Sequence, residues 1–198
     1  TVTYVDPDSG AFGALGHGIN DVDTALLMPL EEGTILPATV VGVNKGQAGT
    51  PGQLKGSFDS SGFLGSLQAN TSSGIFGQLE NVNWADGQAV EVAQSSQVHT
   101  GKATILSNIS GDQVEEYEIE IVKIFPDSQQ DGRDYLITVT DQRLLETTGG
   151  IVQGMSGSPI LQDGRFIGAV THVLINDPSC GYGISAQRML SAADKAAQ

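Results

Sequence analysis

The stretch EEYEIEIVKIF, residues Glu115–Phe125, decides the fold class of this chain. In it, Tyr117, Ile119 and Ile121 alternate with three glutamates. Successive side chains of a β-strand point to opposite faces of the sheet, so this period of two predicts a strand with one apolar and one acidic face. A helix would instead repeat its apolar residues every three or four positions.

Similar strand signals lie on both sides of this stretch and are bounded by turn residues. The predicted strands are Thr1–Val5, Thr34–Val43, Lys102–Ile109, Asp134–Thr140, Ser158–Leu161 and Arg165–Leu174. One helix is predicted, at Ser185–Ala197. Short strands between glycine turns predict an all-β barrel or sandwich with a C-terminal helix. Two segments are less defined: Gly46–Gly74 is compatible with a long loop or irregular strands, and Asp-Pro-Ser-Cys-Gly at 177–181 is typical of a turn.

Composition excludes several classes of function. A net charge of −14 argues against binding to nucleic acid or to an anionic membrane surface. Cys180 is the only cysteine, which rules out an intrachain disulfide and a cysteine-based zinc cluster. We expect no metal and no organic cofactor. No apolar run approaches the roughly 20 residues that span a bilayer, so we expect no membrane insertion by this part of the protein. Few aromatic residues argue against a carbohydrate-binding platform.

The hexapeptide Gly-Met-Ser-Gly-Ser-Pro at 154–159 is the first candidate for chemistry. A nucleophilic serine needs a tight turn, a base within reach and N–H groups directed at the developing oxyanion. Glycines on both sides of Ser156 permit backbone conformations that other residues avoid. We therefore predict Ser156 as the nucleophile and the N–H groups of Gly154 and Ser156 as the oxyanion hole. A plain glycine–serine loop before a strand is the alternative.

Three histidines are available as the general base. His17 stands in Gly-His-Gly among small residues, where an imidazole can be exposed at the end of a strand, and it is favoured. His99 lies in a predicted turn. His172 lies in the strand that follows the serine turn, where it can act as the base or border the substrate. Because that strand is expected to pair with the substrate backbone, Thr171 and His172 are predicted to bind substrate.

The acid that would orient the histidine is not decided by position. Asp141 follows a predicted strand and precedes Ser156 by 15 residues, whereas Asp21 follows His17 closely, and the two are nearly tied. Cys180 is a weak candidate for a nucleophile because it lies in the predicted turn.

Several motifs together resemble one known family. They are Gly-Ala-Leu-Gly-His-Gly-Ile-Asn-Asp at 13–21, Gly-Ile-Phe-Gly at 74–77, Ala-Thr-Ile-Leu at 103–106, Gly-Met-Ser-Gly-Ser-Pro-Ile at 154–160, Gly-Ala-Val-Thr-His-Val at 168–173 and Gly-Tyr-Gly at 181–183. They look like the peptidase domain of the stage IV sporulation protein B family. The resemblance runs from Tyr4 to about Leu190.

The resemblance implies a serine endopeptidase with a chymotrypsin-like double β-barrel. It implies His17 and Ser156 as base and nucleophile, and it favours Asp141 over Asp21. Two barrel halves are expected at about 1–98 and 99–185, with the site between them. In the family a membrane anchor and a peptide-binding PDZ domain usually precede the peptidase domain, and this chain is expected to lack both.

The family role is signalling in spore formation. The resemblance implies cleavage of a membrane-bound regulator, self-cleavage, and a location between the two membranes of the developing spore. A catalytically silent peptide-binding module on the same fold is the alternative.

Overall fold

The fold is seen in a computed structural model that describes residues 1–82, 87, 89–125 and 132–196. The strands before residue 80 are β1 Val2–Val5, β2 Ala11–Ala14, β3 Thr34–Ile35, β4 Ala38–Asn44, β5 Gln53–Phe58, β6 Gly65–Thr71 and β7 Gly74–Leu79. The later strands are β8 Gly101–Ser110, β9 Gln113–Ile124, β10 Tyr135–Val139, β11 Pro159–Gln162, β12 Arg165–Leu174 and β13 Asp177–Ser185. The α-helices are α1 Gln142–Thr148 and α2 Ala186–Ala196.

The second half of the chain forms a closed antiparallel barrel with strand order β10-β13-β12-β11-β8-β9. The predicted alternation of apolar and acidic residues lies in β9 and is confirmed. Tyr117, Ile119 and Ile121 are at most 2% exposed, whereas the glutamates between them face solvent. Ile105, Ile137 and Ile160 complete the barrel interior with no exposed surface. The acidic outer face and the apolar inner face of β9 follow from its period of two.

The first half forms an open sheet with strand order β1-β2-β7-β6-β3. Phe12, Ala14, Ile75 and Leu79 form its core. The prediction of an all-β double barrel with a C-terminal helix is confirmed, and the first half is a five-stranded half-barrel. Helix α2 packs Met189 against Ala169 and Ile184 of the closed barrel. No helix in the described part of the chain is long and apolar enough to cross a membrane.

Strands β4 and β5 form a separate two-stranded ribbon. Its first strand falls in the strand predicted at Thr34–Val43, and its second lies in the undecided segment Gly46–Gly74. The ribbon contacts the closed barrel, because Val40 and Gly111 exchange backbone hydrogen bonds of 2.8 and 2.9 Å. It therefore extends from the first half of the chain onto the second.

Two elements differ from the sequence prediction. Residues 177–181 begin strand β13 instead of a turn, because Cys180 and Gly181 pair with Thr138 and Ile137 of β10. Helix α1 was not predicted. It is short, and its signals are local: the Asp141 side chain accepts hydrogen bonds from the backbone N–H groups of Arg143 and Leu144, and Gly149 ends the helix at a φ of +78°.

Candidate active site

The Ser156 loop depends on two glycines in the left-handed region. Gly154 has a φ of +101° and Gly157 a φ of +87°, values that residues with a Cβ rarely adopt. Met155 is fully buried and fixes the loop to the barrel core. The Gly157 N–H donates to the Val170 carbonyl at 2.8 Å, which ties the loop to β12. The glycine spacing noted in the sequence thus builds the turn that presents Ser156.

Two N–H groups of this loop are available to a ligand. Among the hydrogen bonds of the described residues, the amides of Gly154 and Ser156 donate none, whereas those of Met155, Gly157 and Ser158 all donate to backbone carbonyls. Ser156 itself is half-buried. A pair of unengaged N–H groups flanking a serine is what an oxyanion hole requires.

The β4–β5 ribbon supports this loop from outside. The Gln153 N–H donates to the Gly52 carbonyl at 2.9 Å, and the Leu54 N–H donates to the Gln153 carbonyl at 2.8 Å. A Cβ added to Gly154 would lie 3.1 Å from the Leu54 side chain. The residues that the sequence could not place therefore hold the loop one residue before Gly154.

Two left-handed residues precede His17. Leu15 has a φ of +66°, which is uncommon for a residue with a Cβ, and Gly16 has a φ of +72°. The His17 Nδ1 atom lies 2.8 Å from the Gly18 carbonyl oxygen. Because that oxygen can only accept, Nδ1 is the donor in this contact, and in the neutral ring with this hydrogen bond Nε2 carries the lone pair. This is the tautomer that a general base needs.

The histidine segment and the serine loop are in direct contact. A Cβ on Gly157 would lie 2.7 Å from the Leu15 nitrogen, and a Cβ on Gly16 would lie 2.8 Å from the Thr171 side chain. The Ser156 hydroxyl donates to the Thr171 carbonyl at 3.1 Å. The His17 segment and the Ser156 loop are thus neighbours across the two halves of the chain, and no hydrogen bond joins the His17 and Ser156 side chains.

Thr171 and His172 border the same site. The Thr171 hydroxyl lies within hydrogen-bonding distance of the Gly132 and Tyr182 carbonyls. The ring centroids of His172 and His17 are 5.6 Å apart. The His172 Nδ1 atom is buried and has no hydrogen-bond partner among the described residues. Burial, with the nearby His17 and Arg133, lowers the pKa of His172, so this ring is neutral at neutral pH.

Among the hydrogen bonds of the described residues, Asp141 makes none to His17. Its carboxylate accepts hydrogen bonds from the Glu118 N–H at 3.3 Å and from the Arg143 side chain at 2.9 Å, besides capping α1. The Arg143 guanidinium holds the pKa of Asp141 below its usual value. Gly132, before β10, lies beside His172, whereas Asp141 follows the far end of β10. The strand spans about 13 Å between its end residues at about 3.3 Å per residue.

Asp21 is engaged locally as well. Its carboxylate accepts from the Thr24 hydroxyl and N–H, both at 2.8 Å, and these bonds lower its pKa. The other two candidates lie elsewhere. His99 pairs with Asp163 at 3.0 Å on the exposed surface, and the Thr100 carbonyl and Asp163 raise its pKa. Cys180 contacts Thr138 and Asp177, without a histidine.

Sequence reasoning missed three contributors to the site: the Gly18 carbonyl on His17, Leu54 on the serine loop, and Asn70. The Asn70 side chain accepts from the Ile19 N–H at 2.9 Å and donates to the Ile19 and Met28 carbonyls at 2.8 and 2.9 Å. Backbone contacts carry no local sequence signal. Among the described residues, no group of three or more His, Cys, Asp or Glu side chains is arranged to hold a metal ion.

One sequence family and several solved structures are similar to this chain. The sequence profile of the SpoIVB peptidase S55 family matches residues 1–190. Among solved structures, the inactive form of the Rv3671c protease is 16% identical over 75% of this chain and 73% of its own, with a TM-score of 0.47. The active form from M. tuberculosis is 14% identical over 85% and 92%, with a TM-score of 0.45. No curated protein sequence matches the chain.

The match to a peptidase family over residues 1–190 makes this chain a serine peptidase. The chain is a member of the SpoIVB peptidase S55 family, whose profile covers it almost from end to end. The family implies a role in sporulation.

Proposed function

We propose that this protein is a chymotrypsin-like serine endopeptidase with Ser156 as nucleophile and His17 as general base. One observation carries the proposal: the His17 segment packs directly on the Ser156 loop, whose Gly154 and Ser156 amides donate to no other group among the described residues. A nucleophile, a base and oxyanion donors in one place are the components of acyl transfer.

The proposed reaction passes through an acyl-enzyme. The Ser156 hydroxyl turns from the Thr171 carbonyl to His17 Nε2, gives up its proton there, and its oxygen attacks the peptide carbonyl carbon. The Gly154 and Ser156 N–H groups stabilise the oxyanion, and each such donor contributes about 3–4 kcal/mol to transition-state stability. His17 then protonates the leaving amine as the C–N bond breaks. Water hydrolyses the acyl-enzyme by the same steps in reverse order.

Strand β12 supplies the edge for the substrate backbone. Its pairing with β11 ends at Ala169, opposite Pro159, whereas its pairing with β13 continues to Leu174. The edge from Thr171 onward therefore has no strand partner on one side among the described residues, and an extended peptide can pair with it. This supports the assignment of Thr171 and His172 to substrate binding. A neutral His172 beside His17 also avoids repulsion of the imidazolium that forms during catalysis.

The third member of the catalytic set stays a prediction. The family resemblance assigns Asp141, and the contacts described above give Asp141 a helix cap and an ion pair with Arg143. The Gly18 carbonyl holds the tautomer of His17 in this structure.

Family membership supports a more specific role. We extend the proposal to a signalling protease of spore formation that acts outside the cytoplasm, between the membranes of the developing spore. Its substrate would be a membrane-bound regulator protein, and it would also cleave itself.

The Ser156→Ala variant tests the proposed chemistry. We expect it to lose labelling by a fluorophosphonate probe and to lose peptide hydrolysis by about 10⁶-fold, because the acyl-enzyme cannot form. Ser158→Ala, two residues away and bonded to Ser107 at 3.3 Å inside the barrel, is the matched control and should still be labelled. Unchanged turnover in Ser156→Ala would exclude Ser156 as nucleophile.

A silent peptide-binding module is the second candidate. The observation that favours it is the Ser156 hydroxyl, which donates to Thr171 and not to His17. On this alternative the wild-type protein would bind an extended peptide on β12 but would not react with the fluorophosphonate probe.

A further inference from the structure

An apolar hairpin follows His17 directly. Residues 19–28, which we call the apolar hairpin, carry five exposed large apolar side chains in ten positions. They are Ile19 at 40%, Val22 at 96%, Leu26 at 69%, Leu27 at 43% and Met28 at 44% exposure. Scattered exposed apolar residues are ordinary, whereas a cluster of this density marks a binding surface.

The hairpin is held in one conformation by its own hydrogen bonds. Asn20 and Leu27 form an antiparallel bridge. The Asp21 N–H donates to the Leu26 carbonyl at 2.8 Å, and the Met28 N–H donates to the Ile19 carbonyl at 3.0 Å. The Asp21 carboxylate closes the turn by accepting from Thr24. The apolar side chains are therefore presented by an ordered element.

Asn70 of β6 fixes the hairpin to the first sheet. Its amide group bonds to the backbone at both ends of the hairpin, at Ile19 and at Met28. A single side chain thus sets the position of the hairpin relative to the strand that ends at Thr71. The hairpin has a fixed place beside the active site.

His17 stands between two surfaces. On the side before it, Gly16 packs against Thr171 of β12, the strand proposed to pair with the substrate backbone. On the side after it, Gly18 packs against Leu27, whose Cδ1 atom would lie 2.3 Å from an added Cβ. His17 is therefore flanked by one residue that packs on β12 and one that packs on the apolar hairpin.

The path of the proton in the proposed reaction indicates which half of the substrate lies next to the apolar hairpin. His17 gives its proton to the amine that leaves, and that amine begins the half of the substrate C-terminal to the cleaved bond. We propose that the apolar hairpin binds this leaving half and that it selects apolar residues immediately after the cleaved bond. The inference rests on the proposed function and deepens it by naming a specificity element of the same site.

The charge around the apolar hairpin indicates which peptide sequence it would bind. Asp21 and Asp23 lie in the hairpin, Glu31 and Glu32 follow it, and the chain carries a net charge of −14. This acidic surrounding disfavours an anionic bilayer and favours basic residues beyond the apolar ones. The occupant is therefore a peptide segment with apolar residues next to the cleaved bond and basic residues after them.

The proposed specificity can be tested without knowledge of the natural cleavage site, by measuring how an acyl-enzyme partitions between an added amine and water. A small ester substrate acylates Ser156, and an added peptide amide competes with water for the acyl group. The amine forms a C–N bond, the C–O bond to Ser156 breaks, and the amine proton passes through His17 to the Ser156 oxygen. The probes are Leu-Leu-Arg-amide, Gly-Gly-Arg-amide and Leu-Leu-Glu-amide, and mass spectrometry measures the ratio of aminolysis to hydrolysis.

In the wild type, Leu-Leu-Arg-amide should be at least about tenfold more effective than Gly-Gly-Arg-amide, since burial of one leucine side chain is worth that factor or more. Leu-Leu-Glu-amide should be less effective than Leu-Leu-Arg-amide. The double variant Val22→Ser, Leu26→Ser should lose most of the leucine preference. Val114→Ser, a valine that is 65% exposed in β9, is the matched control and should retain it.

Each outcome decides the inference. A preference that is absent in the wild type, or that survives in the hairpin variant, overturns it. Fluorophosphonate labelling of every variant shows that the catalytic site is assembled, and failure of the wild type to be labelled would overturn the proposed function itself. Val22-dependent binding to phosphatidylcholine vesicles, or Val22-dependent dimerisation by light scattering, without a leucine preference would assign the hairpin to a membrane or to a second copy.

Discussion

At the residue scale, the backbone conformation of four residues positions the proposed catalytic groups. Gly154 and Gly157 adopt positive φ values around Ser156, and Leu15 and Gly16 do so before His17. Among these four residues only Leu15 has a Cβ, and its left-handed conformation destabilises the folded state by about 1 kcal/mol. The conformation brings the Leu15 backbone against Gly157, which places the segment before His17 on the serine loop.

A substitution of Asp141 separates its structural role from the role that the family resemblance assigns. Asp141→Ala should lower the free energy of unfolding by about 1–2 kcal/mol, because α1 loses its N-cap. The pKa of Asp141 is lowered in the folded state, so its contribution is present above the unfolded pKa of about 3.9. The difference between wild type and variant should therefore shrink as the pH falls through the lower folded pKa. Urea unfolding at pH 7 and pH 3 measures this.

Asp141→Asn is the companion variant, because asparagine caps a helix as well as aspartate does but carries no charge. Stability close to wild type at pH 7, with a loss of about 10⁴ in kcat, would assign Asp141 as the acid that orients His17. Asp21→Asn serves as the comparison. An unchanged stability of Asp141→Ala would contradict the cap.

At the scale of elements, two hairpins lie next to the proposed catalytic groups. The β4–β5 ribbon pairs with Gln153 beside the Ser156 loop, and the apolar hairpin follows His17. Backbone hydrogen bonds attach the ribbon to Gln153 and Gly111, and the Asn70 side chain attaches the apolar hairpin to β6. A substitution of Asn70 can remove the second attachment.

Asn70→Ala should release the apolar hairpin without unfolding the first sheet. Three hydrogen bonds are lost at an exposed site, and each contributes about 1 kcal/mol at most. Hydrogen exchange at the N–H groups of Asp21 and Met28 should quicken, and the preference for leucine after the cleaved bond should weaken. Asn108→Ala is the matched control, because Asn108 holds the β8–β9 turn at Gly111 in the same manner. Equal exchange rates in wild type and Asn70→Ala would show that Asn70 does not hold the hairpin.

At the scale of the whole molecule, the dominant property is charge. A net charge of −14 on 198 residues produces a negative potential that extends beyond any single side chain. The exposed glutamates of β9 contribute to it on the barrel surface. The field acts on every charged substrate that approaches, whatever the residues next to the cleaved bond.

The ionic-strength dependence of catalysis follows from this charge. For a cationic peptide substrate, kcat/KM should fall several-fold between about 20 mM and 500 mM salt, because salt screens the attraction over about one Debye length. For a peptide of the same length with glutamates in place of lysines, kcat/KM should rise over the same range. Identical salt profiles for the two peptides would show that the field does not reach the active site.

The sequence by itself determined the all-β class, because the alternation in β9 and the hairpin signals of β8–β9 and β11–β12 depend only on neighbouring residues. It also indicated Ser156 and His17, because glycines that permit positive φ leave a visible pattern. Strand β13 depends on its partner, because pairing with β10 extends it through a stretch typical of a turn. Helix α1 has local signals in Asp141 and Gly149, but its seven residues are too few to show a helical period. Only the tertiary structure showed that Arg143 and the Glu118 N–H hold the Asp141 carboxylate, and that Leu54 and Asn70 contact the segments around Ser156 and His17. Contacts between residues distant in the chain, and contacts through backbone atoms, leave no pattern in the local sequence. They can therefore be identified only in the folded structure.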